Sequence, residues 1–109
     1  MSFKAVILLS RRADMSIDEF RQWWLQEHAP LAAQLPGVRR IVFNACREND
    51  DVDGVSELWF DSEEAFTAAY ATDLGKQVAA DSMAHVRGRV RLFVEHEVTV
   101  VDTAGTSAA

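Results

Sequence analysis

The chain has 109 residues, enough for one hydrophobic core and too few for two. Hydrophobic residues make up 49% and charged residues 26%, the balance of a globular domain, and no apolar run nears the roughly 18 residues of a membrane span. A formal net charge of −6 argues against general nucleic-acid binding, and a single cysteine, Cys46, excludes an internal disulfide and fits a reducing compartment.

The start, "MSFKAVILLSRR", lacks the basic region, long apolar stretch and cleavage site of a signal peptide, so the expectation is a cytoplasmic protein that opens on a strand. Residues 3–9 are nearly all apolar, the pattern of a strand buried on both faces. Ser16 and Glu19 then form an S-x-x-E capping box, with Met15 and Phe20 as a hydrophobic staple across it. Ile17, Phe20, Trp24 and Leu31 follow at helical spacing. Trp23 sits less well on that stripe and is expected at the edge of a dimer. Pro30 predicts that the regular helix ends or kinks at Ala29, with a short helical turn over "LAAQL" and a tight turn at Leu35-Pro36-Gly37.

Residues 38–47 read as the second strand, "ENDDVDG" as a hairpin loop, and 55–60 as the third strand. Asp61 and Glu64 give an acidic capping box for a helix through Phe66, Ala69 and Tyr70. Gly75 is expected to interrupt that helix before a further piece toward Met83. The last strand falls within 88–100. Residues 1–101 are thus the domain, and 102–109 a loosely ordered tail.

The order β-α-β-β-α-β is the ferredoxin-like split βαβ arrangement, an α+β fold with a four-stranded antiparallel sheet and helices on one face. Strand one carries Phe3, Ala5, Ile7 and Leu9 on one side and Val6 and Leu8 on the other. The uncovered face would be a larger apolar patch than a monomer tolerates. Dimerisation sheet-to-sheet, a dimeric α/β barrel, is the simplest cover.

The residues Phe20, Trp24, Glu27-His28-Ala29-Pro30-Leu31, Leu35-Pro36-Gly37-Val38, Asp53-Gly54 and Glu57-Leu58-Trp59-Phe60-Asp61-Ser62 resemble the EthD-like family of the dimeric α/β-barrel superfamily. They span roughly the first two thirds of the chain. The resemblance implies a homodimer, and a pocket between sheet and helices with the helix-end histidine at its edge. Related proteins include methylmuconolactone isomerases, polyketide cyclases and cofactor-free monooxygenases.

His28 lies on the buried stripe and at a helix C-terminus, where the macrodipole favours imidazolium and burial opposes it. It reads either as a general acid-base or as a cap for a free carbonyl; the resemblance favours the first. Glu57, an acid between apolar neighbours, either orients His28 or holds a substrate hydroxyl, or it pairs with Arg39 or Arg40. Trp24, Leu31, Phe43, Trp59 and Tyr70 are candidate walls for a hydrophobic or aromatic substrate, the alternative being plain core. Arg87, Arg89 and Arg91 alternate onto one side of a strand, as a solvated edge or as anchors for an anion. No cysteine-histidine cluster has metal spacing and no phosphate loop or serine elbow occurs, so no cofactor is expected. The expected function is cofactor-independent isomerisation, cyclisation or dehydration of a cyclic, lactone or polyketide-like metabolite, as in aromatic catabolism. The alternatives are an accessory binding protein supporting an oxygenase and a cofactor-free monooxygenase.

Overall fold

The computed structural model describes residues 2–49 and 51–103. Nine alternating residues form β1 (Phe3–Arg11), which sends Ala5, Ile7 and Leu9 into the core and Lys4, Val6 and Leu8 to the other face. Because both its faces are largely apolar, it takes an inner place in the sheet, whose order is β2-β3-β1-β4 with β2 (Arg40–Ala45), β3 (Gly54–Phe60) and β4 (Val86–Val94). Every neighbouring pair is antiparallel. The pairings Phe3–Phe60, Ala5–Leu58 and Ile7–Ser56 set the face that the helices cover. This is the expected ferredoxin-like architecture.

The first helix opens as the capping box predicts: Ser16 Oγ accepts from the Glu19 N–H at 3.1 Å, and Glu19 Oε1 accepts from the Ser16 N–H at 2.8 Å. It then departs from expectation. Helical backbone continues without a break through α1 (Ile17–Gln22), a π-helical turn (Trp23–His28) and α2 (Ala29–Ala32). Ala29 keeps helical dihedrals and its N–H donates to Trp24 O, five residues back. The wide turn shifts the hydrogen-bond register just ahead of Pro30, where the missing N–H would have broken the ladder. The extra residue in that turn brings Trp23, Trp24 and His28 inward together. Trp23 is therefore buried within the chain's own core, against Phe20, His28 and His85, rather than at an edge left for a second copy.

Two later boundaries also move. The cap of α3 (Glu63–Ala71) is Ser62, whose Oγ accepts from the Ala65 N–H, because Asp61 is engaged by the Arg39 guanidinium at 2.8 and 3.0 Å. The break before α4 (Asp73–His85) falls at Thr72, not Gly75. Thr72 Oγ1 donates to Ala69 O and accepts from the Gly75 N–H, closing one helix and opening the next. Gly75 is needed for a different reason: a Cβ there would lie 2.2 Å from Ala69 O and 2.4 Å from Tyr70 Cα. Beyond Val94 the described residues form no regular structure, and 104–109 of the expected tail lie outside them.

Candidate functional site

The π turn and α4 meet around one imidazole. His28 is 5% exposed. Its Nδ1 lies 2.8 Å from Asp81 Oδ2, and a carboxylate on that side fixes the Nδ1–H tautomer, leaving Nε2 as the lone-pair nitrogen. Ser82 Oγ stands 3.3 Å from Nε2. The same Asp81 oxygen accepts the Trp23 indole N–H at 3.1 Å, and the His85 Nδ1–H donates to the Asp81 carbonyl at 2.8 Å. His85 stacks on Trp23 with ring centroids 4.3 Å apart, which closes that edge of the cluster. Burial pushes the His28 pKa below its ordinary value; the Asp81 carboxylate opposes this, while His85 and Arg89 add to it. Burial thus outweighs the pull of the Asp81 carboxylate, which favours a neutral imidazole at pH 7.

His28 and Ser82, the residue at its Nε2 edge, both line a cavity of about 20 Å³, room for one water molecule, between sheet and helices. Ile7, Leu9 and Leu58 give it an apolar floor, and Ser56, Ser82, Tyr70 and Arg89 its polar groups. Trp24 and Phe43 wall it, stacked 4.3 Å apart at 3°. The Trp24 ring lies flat on the start of β3, where a Cβ on Gly54 would stand 2.7 Å from Cη2. Its indole N–H is buried without an acceptor among the described residues. Arg89 reaches the cavity from β4, on the face that its pairing with Leu9 sets. Burial raises the Tyr70 pKa, and Arg89 and Arg91 counteract it, so both guanidinium groups are felt at the phenol.

Of the sequence candidates, His28, Trp24, Phe43 and Tyr70 come together here. Leu31 is half-buried and packs on the core outside the cavity lining. Glu57 and Trp59 do not meet them. They alternate with the core-facing Ser56, Leu58 and Phe60 and lie on the opposite face of the sheet, so Glu57 cannot orient His28. Its partners are Lys4 Nζ at 2.9 Å and Asn44 Nδ2 at 3.1 Å rather than Arg39 or Arg40, and these hold its carboxyl below the usual range. Lys4 and Arg40 both stand over the Trp59 ring at 4.7 Å. His28 caps no carbonyl; both of its nitrogens are turned to α4. Asp81 and Ser82 were missed by the sequence reading. Their one signal is position: Ser82 follows Val78 by four residues on the buried side of α4.

Among the described residues no group of three or more His, Cys, Asp or Glu is arranged to hold a metal ion, and no helix is long and apolar enough to cross a membrane.

A family model described as the EthD domain matches residues 12–86, more than half of the chain. An "uncharacterized 11.0 kDa protein in thcB-thcC intergenic region" of Rhodococcus erythropolis is 27% identical over 106 residues, covering 91% of this chain and 98% of that one. Among solved structures, an EthD family protein from Bacillus halodurans superposes with a TM-score of 0.78 at 22% identity, over 89% of this chain and all of the other. SnoaB, a cofactor-independent oxygenase from Streptomyces nogalater, gives 0.71 at 18% identity over 93% and 98%. A dimeric ferredoxin-like protein from Thermobifida fusca gives 0.71 at 17% identity over 86% and 90%. At these identities the structural likeness establishes the fold.

Proposed function

The chain belongs to the EthD domain family, and from that premise we propose that it is a cofactor-independent enzyme that moves a proton at carbon, with His28 as the carrier. The observation that carries this reading is the buried imidazole itself, which lines the cavity, is held by Asp81 at Nδ1 at 2.8 Å, and meets only the Ser82 hydroxyl, at 3.3 Å, at Nε2. In the reaction Nε2 takes a proton from a carbon next to a carbonyl, and the bonding pair passes into an enolate. Asp81 stabilises the imidazolium that forms, without itself taking the proton. Return of that proton to a second carbon gives isomerisation; loss of a neighbouring hydroxide gives dehydration. Trp24, Phe43 and Tyr70 are the walls against which a ring would lie.

The working unit in this reading is a homodimer. Val6, Leu8, Val42, Val55, Trp59, Val90, Leu92 and Val94 share the sheet face opposite the helices, with Lys4 and Glu57 already paired at its middle. A second copy of the same face covers it, as the dimeric relative's architecture would allow. Cys46 is a free, half-buried thiol, which a reducing cytoplasm would preserve.

The test is exchange in D₂O. Purified protein is incubated with unsaturated lactones, cyclic 1,3-diketones and phenolic ketones, and loss of the C–H signal is followed by proton NMR. Exchange of one class that His28→Gln abolishes supports the proposal. Absence of exchange across all classes, or exchange that survives His28→Gln, overturns it. The second reading is a binding protein without turnover, favoured by the apolar floor of Ile7, Leu9 and Leu58 beside the stacked Trp24 and Phe43 rings. It predicts ligand affinity that is indifferent to His28→Gln.

A further inference from the structure

The cavity's polar end is positively charged in a chain whose net charge is −6. Arg89 is half-buried there. Four other arginines have anionic or carbonyl partners: Arg11 holds Asp53 and Glu48, Arg12 holds Asp14, Arg21 donates to Cys46 O, and Arg39 holds Asp61. Arg91, two residues along the same strand, lies over the rings of Phe66 and Phe93. Among the described residues nothing stands at hydrogen-bonding or ion-pairing distance from the Arg89 guanidinium. A half-buried cation in that position has given up part of its hydration without a compensating charge. Tyr70, whose phenol feels the Arg89 charge, and Trp24, whose indole N–H has no partner among the described residues, line the same cavity. Arg89, Tyr70 and Trp24 thus all line one small space, and the carboxylate beside it, Asp81, is bound to the Nδ1 edge of the imidazole.

Resting on the acid-base reading above, we propose that Arg89, with the Tyr70 hydroxyl, forms a carboxylate-holding end of the site, so that its substrate is a small organic acid whose carboxylate lies close to the reacting C–H. The guanidinium fork matches a carboxylate bidentately, and the pair is strongest where water is partly excluded. The arrangement also assigns the two ends of the ligand. The acid group sits at Arg89 and Tyr70, and the carbon that loses its proton faces His28 Nε2. With room for only a water-sized group, the cavity takes this polar head first, and the apolar remainder of the ligand lies toward Phe43 and Trp24.

The test uses matched pairs of levulinate, crotonate and 2-furoate with their primary amides, titrated against the full chain and read by tryptophan fluorescence and by isothermal calorimetry. The acids bind more tightly than the amides, and Arg89→Met removes that preference, weakening the acids at least about tenfold. Arg89→Lys restores part of the preference, since charge returns without the fork. Arg40→Gln, on the opposite sheet face, leaves it intact, and thermal unfolding confirms that each variant is folded. Equal binding of acid and amide, no binding of any acid, or acid binding unchanged in Arg89→Met overturns the inference. The two proposals fail separately. His28→Gln retains acid binding if the anchor is real and proton exchange is not, whereas exchange that depends on His28 with no preference for acids removes the anchor alone.

Discussion

Asp81 is 27% exposed on a helix, and a surface acid of that kind ordinarily changes stability by no more than about 0.5 kcal/mol when replaced. Its position predicts a much larger effect. Asp81→Ala removes the acceptor of two buried donors, the Trp23 indole N–H at 3.1 Å and the His28 Nδ1–H at 2.8 Å. Leaving a buried donor unsatisfied costs about 1–3 kcal/mol, so the pair amounts to about 2–6 kcal/mol. Two effects reduce this: alanine is the better helix former by roughly 0.6 kcal/mol, and the partial exposure of the site lets water reach one of the orphaned groups. The net expectation is about 2 kcal/mol, with Asp81→Asn losing less because its amide oxygen still accepts. Urea unfolding at pH 7.5 measures it as a fall in midpoint at constant slope. A change within 0.5 kcal/mol would show that the clasp between the π turn and α4 does not hold in solution, and the site built on it would go too.

Three further outcomes follow from the same geometry. The folded His28 pKa is depressed from 6.5, so its contribution to stability is complete above about pH 6.5 and is lost as pH falls below that toward the lowered value; the slope reaches at most about 1.4 kcal/mol per pH unit, and denaturant midpoints of His28→Gln across pH 5–7.5 should lack it. Gly75→Ala forces a Cβ into the α3 backbone and should cost about 3 kcal/mol or more, whereas Gly37→Ala, at φ 79°, should cost about 1–2 kcal/mol; equal, small losses in thermal unfolding would contradict the close approach. Leu92→Glu, counted twice across a two-fold interface, should shift sedimentation velocity from dimer to monomer without loss of fold, and an unchanged mass would remove the sheet face as the contact.

How much of this could be read from the sequence depended on whether one element or two were involved. The order of elements was legible because each carries its own period and caps: alternation in 3–9, and the Ser16–Glu19 box before an apolar stripe. The faces of single strands were legible too, and Glu57 was correctly set beside Val55 and Trp59. What Glu57 meets was not, because that depends on the register of β1, which lays Val6 opposite it and Lys4 diagonally within reach. Arg89 was placed with Arg87 and Arg91, yet which side that is follows from its pairing with Leu9, beyond an irregularity in the ladder at Ser10 and Arg11. Asp81 in "AADSMAH" looks like a solvated helix acid until α4 is docked against Trp23 and His28. The π turn has no composition of its own; Pro30 announced a disturbance, and the chain absorbed it by widening the helix instead of ending it.

The two edges of the His28 ring are held unequally, an inequality that the proposed base requires and a satisfied core histidine does not. At Nδ1 there is a 2.8 Å bond to a carboxylate that also gathers Trp23; at Nε2 there is one 3.3 Å contact to a hydroxyl that lines the cavity. A histidine retained only for packing would be bonded well at both ends, since an unmet nitrogen in the core is costly. Ser82→Ala therefore tests the distinction. The loss of one long hydrogen bond to a group that a cavity water can replace should cost less than about 1 kcal/mol, well under the figure for Asp81→Ala. Were the two substitutions to cost the same in parallel urea titrations, Nε2 would be committed to holding the fold, and it would have no lone pair to spare for a carbon-bound proton.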